Sequence, residues 1–204
     1  MLFEAKNISF RYDEKSPWIF KDISLKINSG ERVGLIAPSG YGKSTLAKVL
    51  AGYEKASSGS ITIDSNAIPN KGYCPVQLIF QHPELSVNPR WKMDRILNEA
   101  GEVSEAVLEK LGIHKQWLTR WPSELSGGEL QRFCIARVLN DRTRFLICDE
   151  ITTMLDAITQ AQIWEVLMEI SKSKNMGMLV ITHNSHIVER VCDRVIDLAE
   201  INQC

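Results

Sequence analysis

The chain has 204 residues, 44% hydrophobic and 24% charged, with 24 Lys and Arg against 25 Asp and Glu for a net charge of -1. That balance suits one globular domain and excludes wholesale disorder, a fibrous repeat and the basic surplus of a nucleic-acid-binding surface. No apolar run nears the roughly 18 residues of a membrane span, and Met1-Leu2-Phe3-Glu4 lacks the basic start and apolar stretch of a signal peptide. An intracellular domain is expected. The five cysteines, Cys74, Cys134, Cys148, Cys192 and Cys204, never stand at C-x-x-C spacing, so neither a zinc site nor a redox pair is supported. Cys134 and Cys148 lie among apolar residues, as buried free thiols do.

Taken in order, Ile23–Ile27 alternates apolar and polar residues, as a half-exposed strand does. After the turn at Ser29-Gly30, Val33–Ile36 reads as a strand buried on both faces. Leu46–Leu50 is helical, Ser57–Ser60 a turn, and Ile61–Ile63 a second half-exposed strand. Val76–Phe80 is again buried. From Arg90 to Arg120 Ile96, Val103, Val107, Leu108 and Leu111 keep helical spacing, with Gly112 as a stop. A helix follows Ser126, with Leu130, Phe133, Cys134 and Val138 on its buried stripe. Phe145–Cys148 is a buried strand, Asp156 to about Lys172 a helix with Ile163, Trp164, Leu167, Met168 and Ile170 inward, and Met178–Ile181 a last buried strand. Strand and helix in alternation predict an α/β fold with a mainly parallel sheet, an N-terminal antiparallel β portion and a small helical insertion, about 82–140, in one domain spanning 1–204.

Chemistry enters at Ala37-Pro38-Ser39-Gly40-Tyr41-Gly42-Lys43-Ser44-Thr45. Strand, glycine-rich loop and helix are the context of a P-loop. Gly40 and Gly42 let backbone N–H groups turn in around a phosphate at a helix start. Ser39, Tyr41 and Thr45 complete the contact loop, Lys43 supplies a charge to the β- and γ-phosphates, and Ser44 offers a hydroxyl to Mg²⁺. The strict pattern fails only at its first position, where Ala37 stands for Gly; that position closes the strand, so a methyl group is expected to fit. A glycine-rich turn without ligand is the competing reading. Asp149-Glu150, ending a buried strand, pairs a carboxylate for Mg²⁺ (Asp149) with one to position or deprotonate water (Glu150).

Ser126-Gly127-Gly128-Glu129 opens a helix with a hydroxyl and free N–H groups, a second anion site. Two phosphate-binding helix starts in one chain suggest that two chains share each nucleotide. Here the chain resembles the ATP-binding cassette (ABC) family, whose signature is Leu-Ser-Gly-Gly-Gln or a close variant; Leu125–Glu129 matches with Glu129 last. The resemblance implies further roles. Tyr12 stacks on adenine. Gln81 reaches Mg²⁺ and the attacking water, His183 contacts the γ-phosphate and orients Glu150, and Asp156 lies on the loop crossing the dimer interface. Gln81-His82-Pro83-Glu84-Leu85-Ser86-Val87-Asn88-Pro89-Arg90 looks like the corresponding stretch of the peptide/nickel importer subfamily.

The resemblance also implies ATP and Mg²⁺ as cofactors and a head-to-tail pair of ABC ATPase subunits, alike or unlike. Further partners are an integral membrane permease and, indirectly, a substrate-binding protein, with the chain peripheral on the cytoplasmic face of the membrane. The expected activity is ATP hydrolysis coupled to uptake of peptides or nickel and other metal complexes. The alternative is a soluble ABC-type ATPase that remodels a non-transport partner. Ile151, Thr153-Met154 and Asn184 depart from the usual Pro, Ser-Ala and Asp, and the chain is expected to be a short cassette without a regulatory extension.

Overall fold

The computed structural model describes residues 1–69 and 71–202; Cys204 lies outside them. Alternation organises the N-terminal part: β1 (Leu2–Phe10) and β2 (Phe20–Asn28) pair antiparallel, with every second residue of β2 buried towards its end. After β3 (Arg32–Ile36) and α1 (Lys43–Leu50), β4 (Ser58–Ile63) pairs with the other side of β1 and β5 (Asn66–Ala67) closes a four-stranded sheet in the order β2-β1-β4-β5.

The rest of the chain builds around β3. β6 (Val76–Ile79) leads into a 3-10 turn at Pro83–Leu85, then α2 (Met93–Leu97), α3 (Glu105–Lys110) and 3-10 turns at Lys115–Trp117 and Pro122–Glu124. α4 (Gly127–Val138), β7 (Phe145–Asp149), α5 (Ala157–Ser173), β8 (Gly177–Ile181), α6 (Ser185–Val191), β9 (Arg194–Asp197) and α7 (Leu198–Ile201) follow. Five strands form a parallel sheet in the order β6-β7-β8-β3-β9.

All five residues of β7 and of β8 are buried, because both faces of a parallel sheet are covered. The period of two decides which cover each residue meets. Leu146, Cys148, Met178 and Val180 face a cluster with Phe133 of α4 and Trp164 and Leu167 of α5. Phe145, Ile147, Leu179 and Ile181 face the opposite cluster, with Leu46 and Leu50 of α1 and Phe3, Ile8 and Phe20 of the antiparallel sheet. Fully buried Phe133 sits where truncation to Ala costs about 3–5 kcal/mol.

One expectation is corrected in part. The stretch Arg90 to Arg120 is not continuously helical: only Met93–Leu97 and Glu105–Lys110 are α-helical. Gly101 (φ +124°) interrupts the run, while Gly112 (φ +63°) follows the end of α3 as expected of a stop. The segment is held by contacts across it instead, Met93 N donating to Arg120 O (3.0 Å) and Asp94 N to Leu118 O (2.9 Å). The buried strands, the half-exposed strands and the long α5 lie where the residue pattern predicts them, except that β4 starts at Ser58: Ser58 and Ser60, expected in a turn, pair with Ser9 and Lys6 of β1 instead.

Because β6, β7, β8 and β3 run parallel, their C-terminal ends open on one edge of the sheet. The glycine-rich loop, Gln81, Asp149-Glu150 and His183 all follow those ends, the edge where open α/β sheets bind ligands.

Candidate nucleotide site

The loop from Ala37 to Gly42 turns on two glycines in the left-handed region, Gly40 (φ +85°) and Gly42 (φ +83°), the latter capping α1. Ala37 is not among the residues with positive φ, so its methyl group is tolerated at the end of β3. Lys43 is buried and its Nζ donates to the carbonyls of Ala37 (2.7 Å) and Pro38 (3.0 Å). Its ammonium thus lies inside the loop. The exposed ring of Tyr12 stands edge-on to Phe10 at 5.1 Å, its hydroxyl 3.5 Å from Thr45 Oγ1. A flat aromatic face is therefore presented beside the loop. Tyr41 is exposed on the loop itself.

Asp149 ends β7 beside Ser44 and Lys43. Burial raises its carboxyl above the ordinary carboxylate value and Glu150 adds to the shift; the Ser44 hydroxyl and the Lys43 charge act in the opposite direction. Its Oδ1 is buried without a hydrogen-bond partner. A buried, unpartnered carboxylate oxygen next to a hydroxyl is a donor set for a hard divalent cation, and Mg²⁺ takes few protein ligands alongside substrate phosphates. These residues fit Mg²⁺. Among the described residues no cluster of three or more His, Cys, Asp or Glu could hold a metal ion by itself.

Glu150 occupies the left-handed region (φ +49°), its N–H donating to Ile181 O at 2.9 Å. Such strain in a non-glycine residue costs about 1–3 kcal/mol and persists only where the surroundings hold it. Its Oε2 lies 3.3 Å from Nδ1 of the largely exposed His183. Gln81 reaches the same segment from β6: its Nε2 donates to Thr153 Oγ1 (3.5 Å), which donates to Glu150 O (3.0 Å). Gln81, Asp149, Glu150, His183, Lys43 and Ser44 are thus gathered at one edge.

Ser126 caps α4 in a reciprocal box. Its Oγ accepts from Glu129 N (3.3 Å), and Glu129 Oε2 accepts from Ser126 N (2.7 Å). Glu129 in the last signature position therefore has a structural task, and the Ser126 hydroxyl keeps its proton for another acceptor. Asp156 caps α5, accepting from Ile158 N, Thr159 N and Thr159 Oγ1. These bonds, the Thr159 hydroxyl foremost, hold its carboxyl below the ordinary value. Ser126, Gly128, Glu129 and Asp156 border one cavity of about 530 Å³. Gly127 lies with Ser126, Gly128 and Gln81 along a second, of about 310 Å³.

The motifs assign no role to three contributors. Thr153 links Gln81 to Glu150 and Ile19 packs on Gly42; Gln131 donates to Phe80 O at 3.2 Å. Only Gln131 could have been found, since it follows Leu130 and precedes Cys134 by three, on the inward side of α4. Asn184, in place of the usual Asp, caps α6 by accepting from His186 N (3.0 Å). Ile151, in place of Pro, is buried in the core.

A model of the ABC transporter family matches residues 20–153. A nickel import system ATP-binding protein, NikE, of Staphylococcus aureus (strain bovine RF122 / ET3-1) is 36% identical over 212 residues, covering 98% of this chain and 87% of that protein. Among solved structures, a dimeric ATP-binding cassette in a post-hydrolysis state, bound to ADP and Pi, has a TM-score of 0.79 at 24% identity, covering 96% of this chain and 93% of that one. The cbiO1 protein of Clostridium perfringens, part of the ABC transporter complex cbiONQ, has a TM-score of 0.77 at 25% identity, covering 96% and 83%. The chain belongs to the ABC transporter family, as an ATPase cassette.

Proposed function

We propose that this chain is the ATP-hydrolysing subunit of an importer for nickel, other metal complexes or peptides, acting as a head-to-tail pair on the cytoplasmic side of a permease that receives cargo from a substrate-binding protein. Among the described residues no helix is long and apolar enough to cross a membrane, and in this reading the permease supplies the spans. The similarity to the nickel importer ATPase and the stretch Gln81–Arg90 support the cargo class. A cavity of about 390 Å³ bordered by Tyr53, Gln77, Ser86, Glu99 and Arg137 lies beside the helical segment and suits a permease loop.

The observation that carries the catalytic reading is Glu150, held between His183 at 3.3 Å and the Gln81–Thr153 link, immediately after Asp149. Tyr12 stacks on the base, and the Ser39–Thr45 loop with Lys43 holds the phosphates. Asp149, Ser44 and Gln81 would hold Mg²⁺, which when bound neutralises charge on the β- and γ-phosphates. Glu150 accepts a proton from the attacking water as its oxygen bonds to the γ-phosphorus and the bridge to ADP breaks. Gln81 aims that water and His183 fixes the Glu150 carboxylate. Ser126, Gly127 and Gly128 of a second copy, with Asp156 at its border, donate to the γ-phosphate, so ATP favours the closed pair and hydrolysis releases it.

The test is recovery of the tagged chain from gently solubilised native membranes, with ATPase assay of what is recovered. A polytopic permease together with turnover supports the importer; exclusively soluble partners point to a remodelling ATPase instead.

A further inference from the structure

Two buried side-chain oxygens among the described residues lack a hydrogen-bond partner: Asp149 Oδ1, which the cation reading explains, and Gln131 Oε1, which nothing above uses. Gln131 lies on α4, one turn beyond the Ser126–Glu129 box, and only 2% of it is exposed. A carboxamide buried with half of its hydrogen-bonding capacity unused is a cost to the fold that an apolar side chain of the same length avoids. Its one bond goes from Nε2 to the carbonyl of Phe80, the residue before Gln81.

The bond continues a chain of contacts. Gln81 Nε2 donates to Thr153 Oγ1, and Thr153 donates to the carbonyl of Glu150 through both its hydroxyl (3.0 Å) and its backbone N–H (3.3 Å). Gln131, Gln81, Ser126, Gly128 and Leu155 border the same cavity of about 310 Å³, and a Cβ at Gly128 would stand 3.1 Å from Leu155 Cδ2. The start of α4, the Gln81 segment and the loop after Glu150 meet there; Gln131 bonds the residue before Gln81, while farther along α4 Cys134 Sγ and Arg137 bond the carbonyls of Pro83 (3.8 Å) and Ser86 (3.0 Å).

We infer that Gln131 is a positioning residue that ties Gln81, and through Thr153 the backbone of Glu150, to α4, so that an anion held at the Ser126 end of α4 in one copy is registered at the hydrolytic carboxylate of that same copy. The inference rests on the catalytic reading of Gln81 and Glu150. It makes the two phosphate-contacting ends of one chain mechanically dependent, and so adds a route within the chain to the contacts between copies.

The experiment compares Gln131→Met and Gln131→Leu, which fill the space without donating, with Thr153→Val and the double variant, in the full chain within its membrane complex. Gln131→Met should melt within about 2 °C of the parent or above it and bind ATP within about twofold, while kcat falls about tenfold or more; a structural role alone would lower the melting temperature with it. The double variant should be no slower than the slower single by more than about twofold, as for two residues acting through one path. Parent-like kcat in Gln131→Met or Gln131→Leu, or multiplicative losses in the double variant, overturns the inference. Gln81→Ala is the control: normal turnover there removes the catalytic reading and this inference with it, whereas a crippled Gln81→Ala beside a normal Gln131→Met overturns the inference alone.

Discussion

Alanine at Gly40 and at Gly42 separates conformational strain from steric strain within one loop. Both glycines lie in the left-handed region, at φ +85° and +83°, which costs a residue with a Cβ about 1–2 kcal/mol. A Cβ at Gly40 meets no atom within 4 Å, whereas one at Gly42 would stand 2.7 Å from Ile19 Cγ2 and 3.4 Å from the Ile19 carbonyl oxygen. Carbon atoms pack at about 3.5–4.0 Å, so the overlap with Ile19 is about 1 Å, and overpacking of this kind adds about 1–3 kcal/mol. Gly40→Ala should therefore lose about 1–2 kcal/mol and Gly42→Ala about 2–5 kcal/mol. At about 2–4 °C per kcal/mol for a chain of this size, Gly42→Ala should melt about 2–12 °C below Gly40→Ala. Calorimetric scans without nucleotide measure the difference, and in an Ile19→Ala background the extra loss at Gly42 should shrink. Equal losses for the two glycines, or a Gly42 penalty indifferent to Ile19, would refute the reasoning.

Glu150→Gln should bind ATP as the parent does while turnover falls about 10²–10⁴-fold, the range expected when a general base is lost; a turnover assay decides it, and near-normal rates would remove Glu150 from its role. Chelation should abolish hydrolysis and added Mg²⁺ restore it, with Ser44→Ala needing more Mg²⁺ for half-maximal rate in a titration. Arg32 holds the Asp193 carboxyl below its ordinary value of 3.8 through a side-chain hydrogen bond. A lowered carboxylate contributes stability that is present above the ordinary value and lost as pH falls through the lowered one. Melting curves of the parent and Asp193→Asn should therefore converge at acid pH, and a gap that does not narrow contradicts this. Burial drives the Cys148 thiol far up and the Cys192 thiol up to about 11, so alkylation near pH 8 should spare both until denaturant is added, as mass spectrometry would record.

The strands of the parallel sheet were legible because each is a short apolar run ending in a turn, and parallel strands buried on both faces are nearly all apolar. The loop at Lys43 and the box at Ser126 were legible for a different reason: phosphate binding and helix capping both require particular residues at fixed spacing. Glu150 was legible as an acid but not as a residue at φ +49°, since that backbone is imposed by its bonds to β8 and Thr153. The break between α2 and α3 was missed because Ile96 and Val103 are seven apart, two helical turns, and spacing alone cannot see the turn at Gly101 between them. Gln131 and Thr153 escaped because their significance lies in side chains brought from distant segments.

In the proposed mode of binding, the two sheets hold opposite ends of the nucleotide. Tyr12 follows β1 of the antiparallel sheet, whereas Lys43 opens α1 on the loop after β3 and Asp149 ends β7 of the parallel one, and the two sheets meet through a shared apolar cluster without exchanging a strand. A bound ATP, on this reading, fastens the two sheets together, with the base on one and the phosphates on the other. Amide hydrogens of β1 and β2 should then exchange more slowly with nucleotide present, although the hydrolytic groups lie on the other sheet, and adenine-free triphosphate should not reproduce the effect.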